Sequence, residues 1–413
     1  MATLEDKIGS VEALTENRLR EGGVKHPFAR SDSETGIRVM HVITGLDIGG
    51  TEMMLWKLLS ASSPGLTSMV VSLGDEGTMA PKFRELGIPV RSLNFRRSPM
   101  DVFRLLRFLS LIREFQPRII QGWLVHGNLV ASLSKLAVRN HIPVFWNIRQ
   151  SLYDMSAERV GTGVAIRAGA FISQFVEKIV YASETSARHH EKLGYERKKS
   201  VVVPNGFDCQ KFHPDEEAHW RVHADLGLRN GAVLVGLVAR YHPMKDHAGF
   251  LKAAGIVARK HEAARFLLAG RGVTNGNSDL EEIIDKEGLR DRVFLLGERL
   301  DIAQITAGLD IACSASWTEG FANSIGEAMA CAVPCVATDV GDSMNLVGDT
   351  GLIVLPRNPE FLARAICELI DIGPEKRKAL GLQARKRIEK HFSLPEIAHR
   401  YERLYQDCLK LSR

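Results

Sequence analysis

The chain has 413 residues, of which 45% are hydrophobic and 25% charged, and its formal net charge is +5. This composition is that of an ordinary soluble globular protein, and the length predicts two domains, because a domain usually holds about 100–150 residues. No apolar run reaches the roughly 18 residues that span a bilayer, and the N-terminus lacks the apolar segment of a signal peptide, so we expect a cytoplasmic protein.

The first predicted element is a polar extension over residues 1–36, which contains Gly22-Gly23 and is rich in serine and acidic residues near its end. We predict that it is mobile. From residue 37 onward, short β-branched runs alternate with helical periods, a pattern typical of a parallel sheet covered on both faces. The runs of this half are RVMHVIT, SMVVSL, RIIQGW, PVFWNI, KIVYAS and SVVVPN.

The first strand leads into the turn GLDIGGTEMMLWKLL, in which Gly49 and Gly50 precede a helix. Glycines let backbone N–H groups approach a phosphate or a sugar, and a helix N-terminus favours negative charge. The spacing matches neither the G-x-G-x-x-G of nicotinamide sites nor a P-loop. An ordinary tight turn between strand and helix is therefore an equal alternative.

Positive charge is concentrated between Arg91 and Arg149, where the net charge is +8. Within this segment, MDVFRLLRFLSLIREF (Met100 to Phe115) predicts a helix with an apolar stripe at positions 102, 105, 106, 109 and 112. A basic amphipathic helix can lie on an anionic membrane, but a helix packed on the core with a solvated basic face is the favoured alternative. Nucleic-acid binding is not predicted, because no binding module accompanies the charge.

A second alternation begins after the polar stretch from Asp208 to Trp220, with the runs VLVGLVAR, RFLLAG, RVFLLG, DIACSAS, PCVAT and GLIVL. We predict an α/β fold of two doubly wound domains, 37–205 and 206–393. The final helix, 394–413, should pack back on the first domain or across the junction. Because ligands bind beyond the carboxyl ends of parallel strands, two such sheets would form a cleft between the domains.

Six cysteines form no Cys-x-x-Cys pair and no zinc-like set with histidines, so we expect reduced, mostly buried thiols. The chain also contains no Asp-x-Asp, a motif that commonly binds a metal ion together with a diphosphate. We therefore expect no metal and no other cofactor.

The second half carries two candidate ligand sets. Arg240 and Lys245 follow its first strand, where two cations could hold a diphosphate and offset the charge that develops as it leaves. In TEGFANSIGEAMACAVPCVATDVGD, Glu319 precedes a helix and Glu327 lies inside it. This spacing suits one elongated polar ligand, with backbone amides of residues 320–324 binding further polar groups. Solvated charges and a helix-dipole partner are the plain alternatives.

Together these residues resemble retaining glycosyltransferases of the GT-B fold, specifically glycosyltransferase family 4. The resemblance rests on the Gly49-Gly50 turn, on the two cations, on VVPNGFD (Val202 to Asp208) and on the E-x7-E of Glu319 and Glu327, and it covers about residues 37–395. It is most specific in the second half. Ala332 departs from the pattern, because members usually carry glycine there.

The resemblance implies a role for each matching position. Glu327 would hold the ribose, Glu319 the transferred sugar, and Arg240 and Lys245 the diphosphate, while His126 would lie near donor sugar and acceptor. The implied catalytic residues are His126, Glu319, Arg240 and Lys245. The implied donor-binding residues are Gly49, Gly50, Arg240, Lys245, Glu319, Gly320, Phe321, Ala322, Asn323 and Glu327, and the implied acceptor-binding residues are Asn147 and Arg149.

The resemblance further implies a nucleotide-sugar donor, a glycan or lipid-linked acceptor and metal-independent transfer at the front face of the sugar. It suggests a place in surface polysaccharide biosynthesis at the cytoplasmic side of a membrane. A non-catalytic nucleotide-sugar or polysaccharide-binding protein on the same fold is the main alternative. A Rossmann oxidoreductase with Asp75 at the ribose is a weaker one, since the G-x-G-x-x-G is missing.

Overall fold

The computed structural model describes residues 36–96, 101–137, 142–152 and 160–411. The predicted mobile extension lies outside the described residues except for Gly36, as do the last two residues of the predicted C-terminal helix. Within the described part, residues 37–411 form two parallel β-sheets with helices packed on both faces of each.

The first sheet has seven strands in the order β3-β2-β1-β4-β5-β6-β7, and its strand pairs are parallel. We call this sheet and the helices packed on it the first lobe. Its strands are β1 (Ile37–Ile43), β2 (Leu66–Ser72), β3 (Val90–Ser92), β4 (Ile119–Trp123), β5 (Val144–Ile148), β6 (Lys178–Tyr181) and β7 (Ser200–Val202).

The second sheet has six parallel strands in the order β10-β9-β8-β11-β12-β13 and forms the second lobe with its helices. Its strands are β8 (Val233–Val238), β9 (Ala264–Ala269), β10 (Val293–Leu295), β11 (Ile311–Ser314), β12 (Cys335–Thr338) and β13 (Leu352–Val354). Every predicted run forms a strand. The short edge strand β3 is not predicted, because Val90–Ser92 contains a single apolar residue.

Fifteen α-helices connect these strands in the described part of the chain. In the first half they are α1 (Gly50–Ser60), α2 (Ala80–Glu85), α3 (Asp101–Phe115), α4 (Leu124–Ala137), α5 (Val160–Ile172) and α6 (Glu184–Lys192). In the second half they are α7 (Glu216–Asp225), α8 (His247–Lys260), α9 (Ser278–Lys286), α10 (Ile302–Ala307), α11 (Asn323–Ala330), α12 (Ser343–Val347), α13 (Pro359–Asp371), α14 (Gly373–His391) and α15 (Leu394–Leu411).

The C-terminal helix α15 packs on the first lobe. Tyr401 and Tyr405 are buried there, Tyr401 stacked on Trp123 with 6.4 Å between ring centroids. The chain leaves and re-enters this lobe at one place, where the Phe207 amide donates to the carbonyl of Phe392 and the Leu394 amide donates to the carbonyl of Phe207. The domain boundaries given above, at 205/206 and 393/394, stay a prediction.

Helix α3 forms as predicted, but its apolar stripe is oriented differently. The structure buries Phe108, Leu111 and Ile112, whereas Val102 and Leu106 of the predicted stripe are 64% and 55% exposed. The prediction was wrong for these two positions, because Phe108 and Leu111 are apolar as well, so the sequence alone does not decide which side of the helix faces the core.

The cysteines behave as predicted. All six are free thiols, and four of them, including Cys331, are buried. Burial raises the pKa of Cys331 to about 12, which keeps this thiol protonated and unreactive at neutral pH.

Ala332 holds a backbone conformation that favours glycine. It has a φ of 58° and directly follows the end of α11, where the Val333 amide donates to the carbonyl of Ala328 and the Ala332 amide to that of Met329. This is the hydrogen-bond pattern of a Schellman motif, in which the left-handed residue is usually glycine. A side chain in this conformation costs roughly 1–2 kcal/mol.

We expect Ala332→Gly to raise the free energy of unfolding by about 1 kcal/mol, because relief of the left-handed strain outweighs the added freedom of glycine in the unfolded chain. Denaturant titration measures the change. The control is Ala379→Gly at an exposed position inside α14, which should lower stability by about 0.5–1 kcal/mol. Equal destabilisation by both variants would contradict the prediction.

Candidate active site

The centre of the candidate site is an ion pair between Lys245 and Glu319. The sheet places β8 beside β11, so the loops that follow their carboxyl ends meet. The Lys245 ammonium contacts Oε1 of Glu319, and the Ser316 hydroxyl donates to the same oxygen at 2.7 Å. The structure thus joins a residue predicted to hold a diphosphate to one predicted to hold a sugar.

Local hydrogen bonds hold Lys245 in place. It ends a short 3₁₀ turn, Pro243–Lys245, and the carboxylate of the next residue, Asp246, accepts the Gly249 amide at 2.9 Å and caps α8. The backbone amide of Trp317 donates to the carbonyl of Met244 at 2.8 Å. This bond fixes the loop of Lys245 against the loop of Glu319.

Arg240 lies two residues beyond β8, and its side chain is exposed. The next residue, Tyr241, donates its backbone amide to the carbonyl of Arg271 at 2.7 Å, which ties this loop to the loop after β9. Arg240 therefore stands on the same sheet edge as Lys245 with a solvated guanidinium, as an anion-binding residue should.

The start of α11 offers main-chain rather than side-chain groups. The side chains of Phe321 and Ala322 are buried, that of Phe321 stacked against Phe207. Asn323 is exposed, and its Oδ1 accepts the Asn205 amide group at 2.8 Å. Of the predicted donor-binding set, Phe321 and Ala322 can thus contact a ligand only through their backbone.

The two lobes approach each other closely at Gly320. A Cβ at this position would lie 2.8 Å from the carbonyl oxygen of Arg149, which belongs to the first lobe. Any larger residue would have to separate the loop before α11 from the first lobe. The glycine of the E-G-F sequence is therefore required by the contact between lobes.

Glu327 lies opposite a cation of the first lobe. Its Oε1 is 3.7 Å from Nζ of Lys57, which is on α1. Burial raises the pKa of Glu327, and the positive charge of Lys57 partly offsets this effect. The sequence analysis did not identify Lys57, since a lysine near the end of an amphipathic helix gives no functional signal.

The Glu52 side chain lies against the glycine turn that precedes α1. Gly49 is the N-cap residue and Gly50 begins the helix, and the Glu52 carboxylate folds back so that a Cβ on Gly49 would lie 2.3 Å from its Oε2. Burial raises the pKa of Glu52. A phosphate could reach these backbone amides only if the Glu52 side chain moved away.

His126 lies in the first turn of α4, directly after β4. The turn begins with a strained residue, Leu124, at a φ of 62°, and a Cβ on Gly127 would lie 2.5 Å from the carbonyl oxygen of Val42 in β1. The helix start is thus held against the sheet. This close packing fixes the position of His126 at the carboxyl edge of the first sheet.

Asn147 and Arg149 belong to a buried network of the first lobe. Nδ2 of Asn147 donates to the Tyr401 hydroxyl at 2.7 Å. The Arg149 guanidinium donates to the carbonyl of Val203 at 2.8 Å and lies 5.7 Å from the centre of the Trp123 ring, and burial lowers its pKa. Asn147 is fully buried, so acceptor binding by these residues stays a prediction.

A second contact between lobes lies beside the Glu319 loop. The Asp342 carboxylate accepts the backbone amides of Glu184 and Thr185, at 2.9 and 3.2 Å, at the N-terminus of α6. The Thr185 hydroxyl donates to the carbonyl of Gly341 at 2.7 Å. A negative charge at a helix N-terminus is stabilising. The sequence analysis did not identify this contact.

Two family models match the chain: "Glycosyltransferase Family 4" over residues 48–211 and "Glycosyl transferases group 1" over residues 232–371. The putative glycosyltransferase EpsF of Bacillus subtilis is 30% identical over 39% of this chain and 41% of its own length. The lipopolysaccharide core biosynthesis mannosyltransferase LpsB of Rhizobium meliloti is 28% identical over 51% of this chain and 62% of its own. The chain spans about half the length of the curated relatives it matches.

The fold is also that of known glycosyltransferase structures. HepE of Anabaena, solved with UDP and glucose, matches with a TM-score of 0.75 at 20% identity over 90% of this chain and all of its own. Sucrose-phosphate synthase of Thermosynechococcus elongatus matches with a TM-score of 0.70 at 18% identity over 91% of this chain. The predicted fold of two Rossmann-like lobes, GT-B, is confirmed, and the chain belongs to glycosyltransferase family 4.

Proposed function

We propose that the chain is a retaining, metal-independent glycosyltransferase that moves a sugar from a nucleoside diphosphate sugar to a glycan or lipid-linked acceptor. The observation that carries this proposal is the contact of Lys245 with Glu319 where the carboxyl ends of β8 and β11 meet. Lys245 could bind the phosphates and Glu319 the sugar hydroxyls of a single donor molecule, because the two side chains are in contact.

In the proposed complex each charged residue gains a ligand group in place of water or of a protein partner. The Lys245 ammonium and the exposed Arg240 bind the diphosphate, while Glu319 accepts hydrogen bonds from sugar hydroxyls. Glu327 accepts the ribose hydroxyls and gives up part of its contact with Lys57. Lys245 has an opposite charge nearby both without donor, where it contacts Glu319, and with donor, where it binds the diphosphate, which limits the cost of desolvating its ammonium.

The proposed reaction breaks the bond between the anomeric carbon and the diphosphate oxygen and forms a bond from the acceptor oxygen on the same face. The departing diphosphate takes the acceptor proton, and Arg240 and Lys245 stabilise the negative charge that it gains. His126 stands at the edge of the first sheet, near sugar and acceptor. Closure of the lobes excludes water and limits donor hydrolysis.

The donor is identified by a thermal-shift panel of UDP-, GDP- and ADP-sugars. The stabilising donor is then incubated with candidate acceptors in EDTA, and the anomeric configuration of the product is read by NMR. A product with the configuration of the donor supports the proposal. Donor binding without transfer to any glycan or lipid-linked acceptor would favour the non-catalytic alternative, and an inverted product would overturn the retaining mechanism.

We also propose that the enzyme builds a surface polysaccharide at the cytoplasmic face of a membrane. The name of the rhizobial relative supports a surface polysaccharide. Among the described residues, no helix is long and apolar enough to cross a bilayer. Helix α3 instead exposes Val102, Phe103 and Leu106 beside the exposed Arg107, and an apolar face with a cation suits an anionic membrane surface.

We expect the protein to float with vesicles that contain an anionic lipid and not with neutral ones. The double variant Phe103→Asp and Leu106→Asp should abolish flotation, because it removes apolar area and adds negative charge. Since both side chains are exposed, the fold should survive. The matched control is Leu300→Asp on the second lobe, which is 99% exposed and should leave flotation unchanged. Unaltered flotation of the α3 variant would contradict the membrane proposal and leave catalysis untouched.

A further inference from the structure

The second lobe contains a cavity at the edge of its sheet opposite to the candidate active site. It has a volume of about 360 Å³ and is formed by α7, the end of α10, the segment 331–334 and the start of α14. Its wall residues Asp310 and Pro334 directly precede β11 and β12. The cavity therefore opens at the amino ends of the strands whose carboxyl ends carry the donor site.

The wall of this cavity includes an exposed aromatic ring. The Trp220 side chain is 65% exposed and contacts the His219 ring edge to face at 5.4 Å between centroids. Leu382, on α14, is 44% exposed in the same wall. An indole held beside a cavity with most of its surface in water is a platform for a flat, partly apolar ligand.

The charged groups of the cavity disfavour an anionic ligand. Its carboxylates are Asp215, Glu216 and Asp310, and its cations are Arg377 and Lys378. Lys378 is 3.2 Å from Glu216, and the Arg377 guanidinium donates to the carbonyl of Ile370 at 3.1 Å. Both cations therefore have partners within the protein, and the balance of charge is negative, which opposes phosphates, nucleotides and anionic lipids.

We propose that this cavity binds a neutral carbohydrate of one or two sugar units. A pyranose ring presents a face of C–H groups that packs on an indole, and its hydroxyls can donate to the carboxylates of the cavity. An exposed indole and carboxylates that line the same cavity meet both needs. The inference goes beyond the proposed transfer reaction, since it concerns a separate site that could hold a glycan segment.

The test is binding of the full chain to an array of neutral and anionic glycans, followed by calorimetric titration of the best binder into the wild type and both Trp220 variants. We expect a neutral glycan to bind, Trp220→Ala to weaken its binding by about tenfold or more, and Trp220→Phe to retain most of it. Donor-induced thermal stabilisation should be the same in all three proteins, because the donor site lies at the other sheet edge.

Three results would overturn the inference: no glycan bound, glycan binding of equal strength in wild type and Trp220→Ala, or Trp220-dependent binding confined to phosphorylated or sulfated glycans. Loss of donor stabilisation in Trp220→Ala would show instead that the two sites are not separate. Failure of the transfer assay alone, with Trp220-dependent glycan binding intact, would reject the proposed function and leave this site standing.

Discussion

Replacing Lys245 with alanine should lower turnover by about a hundredfold or more, because a single preorganised group that stabilises a departing anion contributes about 2.7–4 kcal/mol. The expected loss is in kcat as well as kcat/KM, since the charge on the diphosphate grows as the bond breaks. The variant also leaves Glu319 without the ammonium that contacts it in the structure. A steady-state assay with the donor found by thermal shift measures the effect.

Two controls separate this catalytic effect from others. Lys252→Ala removes an exposed lysine on the neighbouring helix α8 and should leave turnover unchanged. Thermal unfolding of Lys245→Ala without donor tests whether the loss arises from a disturbed Glu319 loop, in which case the midpoint would fall. Arg240→Ala should resemble Lys245→Ala. Turnover of Lys245→Ala within about threefold of wild type would remove the diphosphate role of this residue.

Acid should destabilise the folded chain strongly, by about 5 kcal/mol between pH 7 and pH 5. Burial lowers the pKa of His41 to about 3 and those of His190 and His247 to about 4. All three histidines are neutral in the folded chain at pH 5 but protonated when it unfolds. A lowered folded pKa of a histidine means that stability is present above the unfolded pKa near 6.5 and is lost as the pH falls.

The surroundings of His41 explain why it resists protonation. Its Nδ1 accepts the indole N–H of Trp123 at 3.2 Å, and its Nε2 lies 3.4 Å from the Ser68 hydroxyl. The neutral ring satisfies this arrangement with its proton on Nε2. A second proton on Nδ1 would meet the donor of Trp123 and carry a charge into a fully buried site, which costs several kcal/mol.

Denaturant titrations across this pH range measure the effect, with an expected slope of about 4 kcal/mol per pH unit near pH 5 for three protons. His41→Met should reduce the slope by about one third, whereas His213→Met, at an exposed position, should not change it. The raised pKa values of Glu52 and Glu327 act in the opposite direction and reduce the total. Stability that is flat from pH 7 to pH 5 would show that the buried histidines are hydrated.

The candidate site combines residues that the sequence identifies with residues that it does not. Glu319 and Glu327 share one short segment, and Lys245 follows a strand, so a local pattern finds all three. Lys57 and Asp342 instead make contacts between the lobes. Lys57 contacts Glu327, and Asp342 accepts backbone amides at the N-terminus of α6. Their variants are therefore informative probes of closure, separate from the chemistry at Lys245.

The sequence by itself determined twelve of the thirteen described strands, the helices α1, α3, α11 and α15, and the ligand-binding segments. Alternating apolar runs and helical periods act over a few residues, and the E-x7-E segment is one short stretch of chain, with Glu319 in the loop before α11 and Glu327 inside that helix. The resemblance to glycosyltransferase family 4 also identifies Ala332 as a departure from the usual glycine.

The tertiary structure alone decided which of these segments meet. The contact of Lys57 with Glu327, the binding of the α6 N-terminus by Asp342 and the burial of Asn147 against Tyr401 join residues far apart in the chain. The exposed turns of α3 likewise depend on where the core ends. No local period encodes these contacts, because they depend on how two lobes and the C-terminal helix pack, which is set by apolar surface summed over many elements.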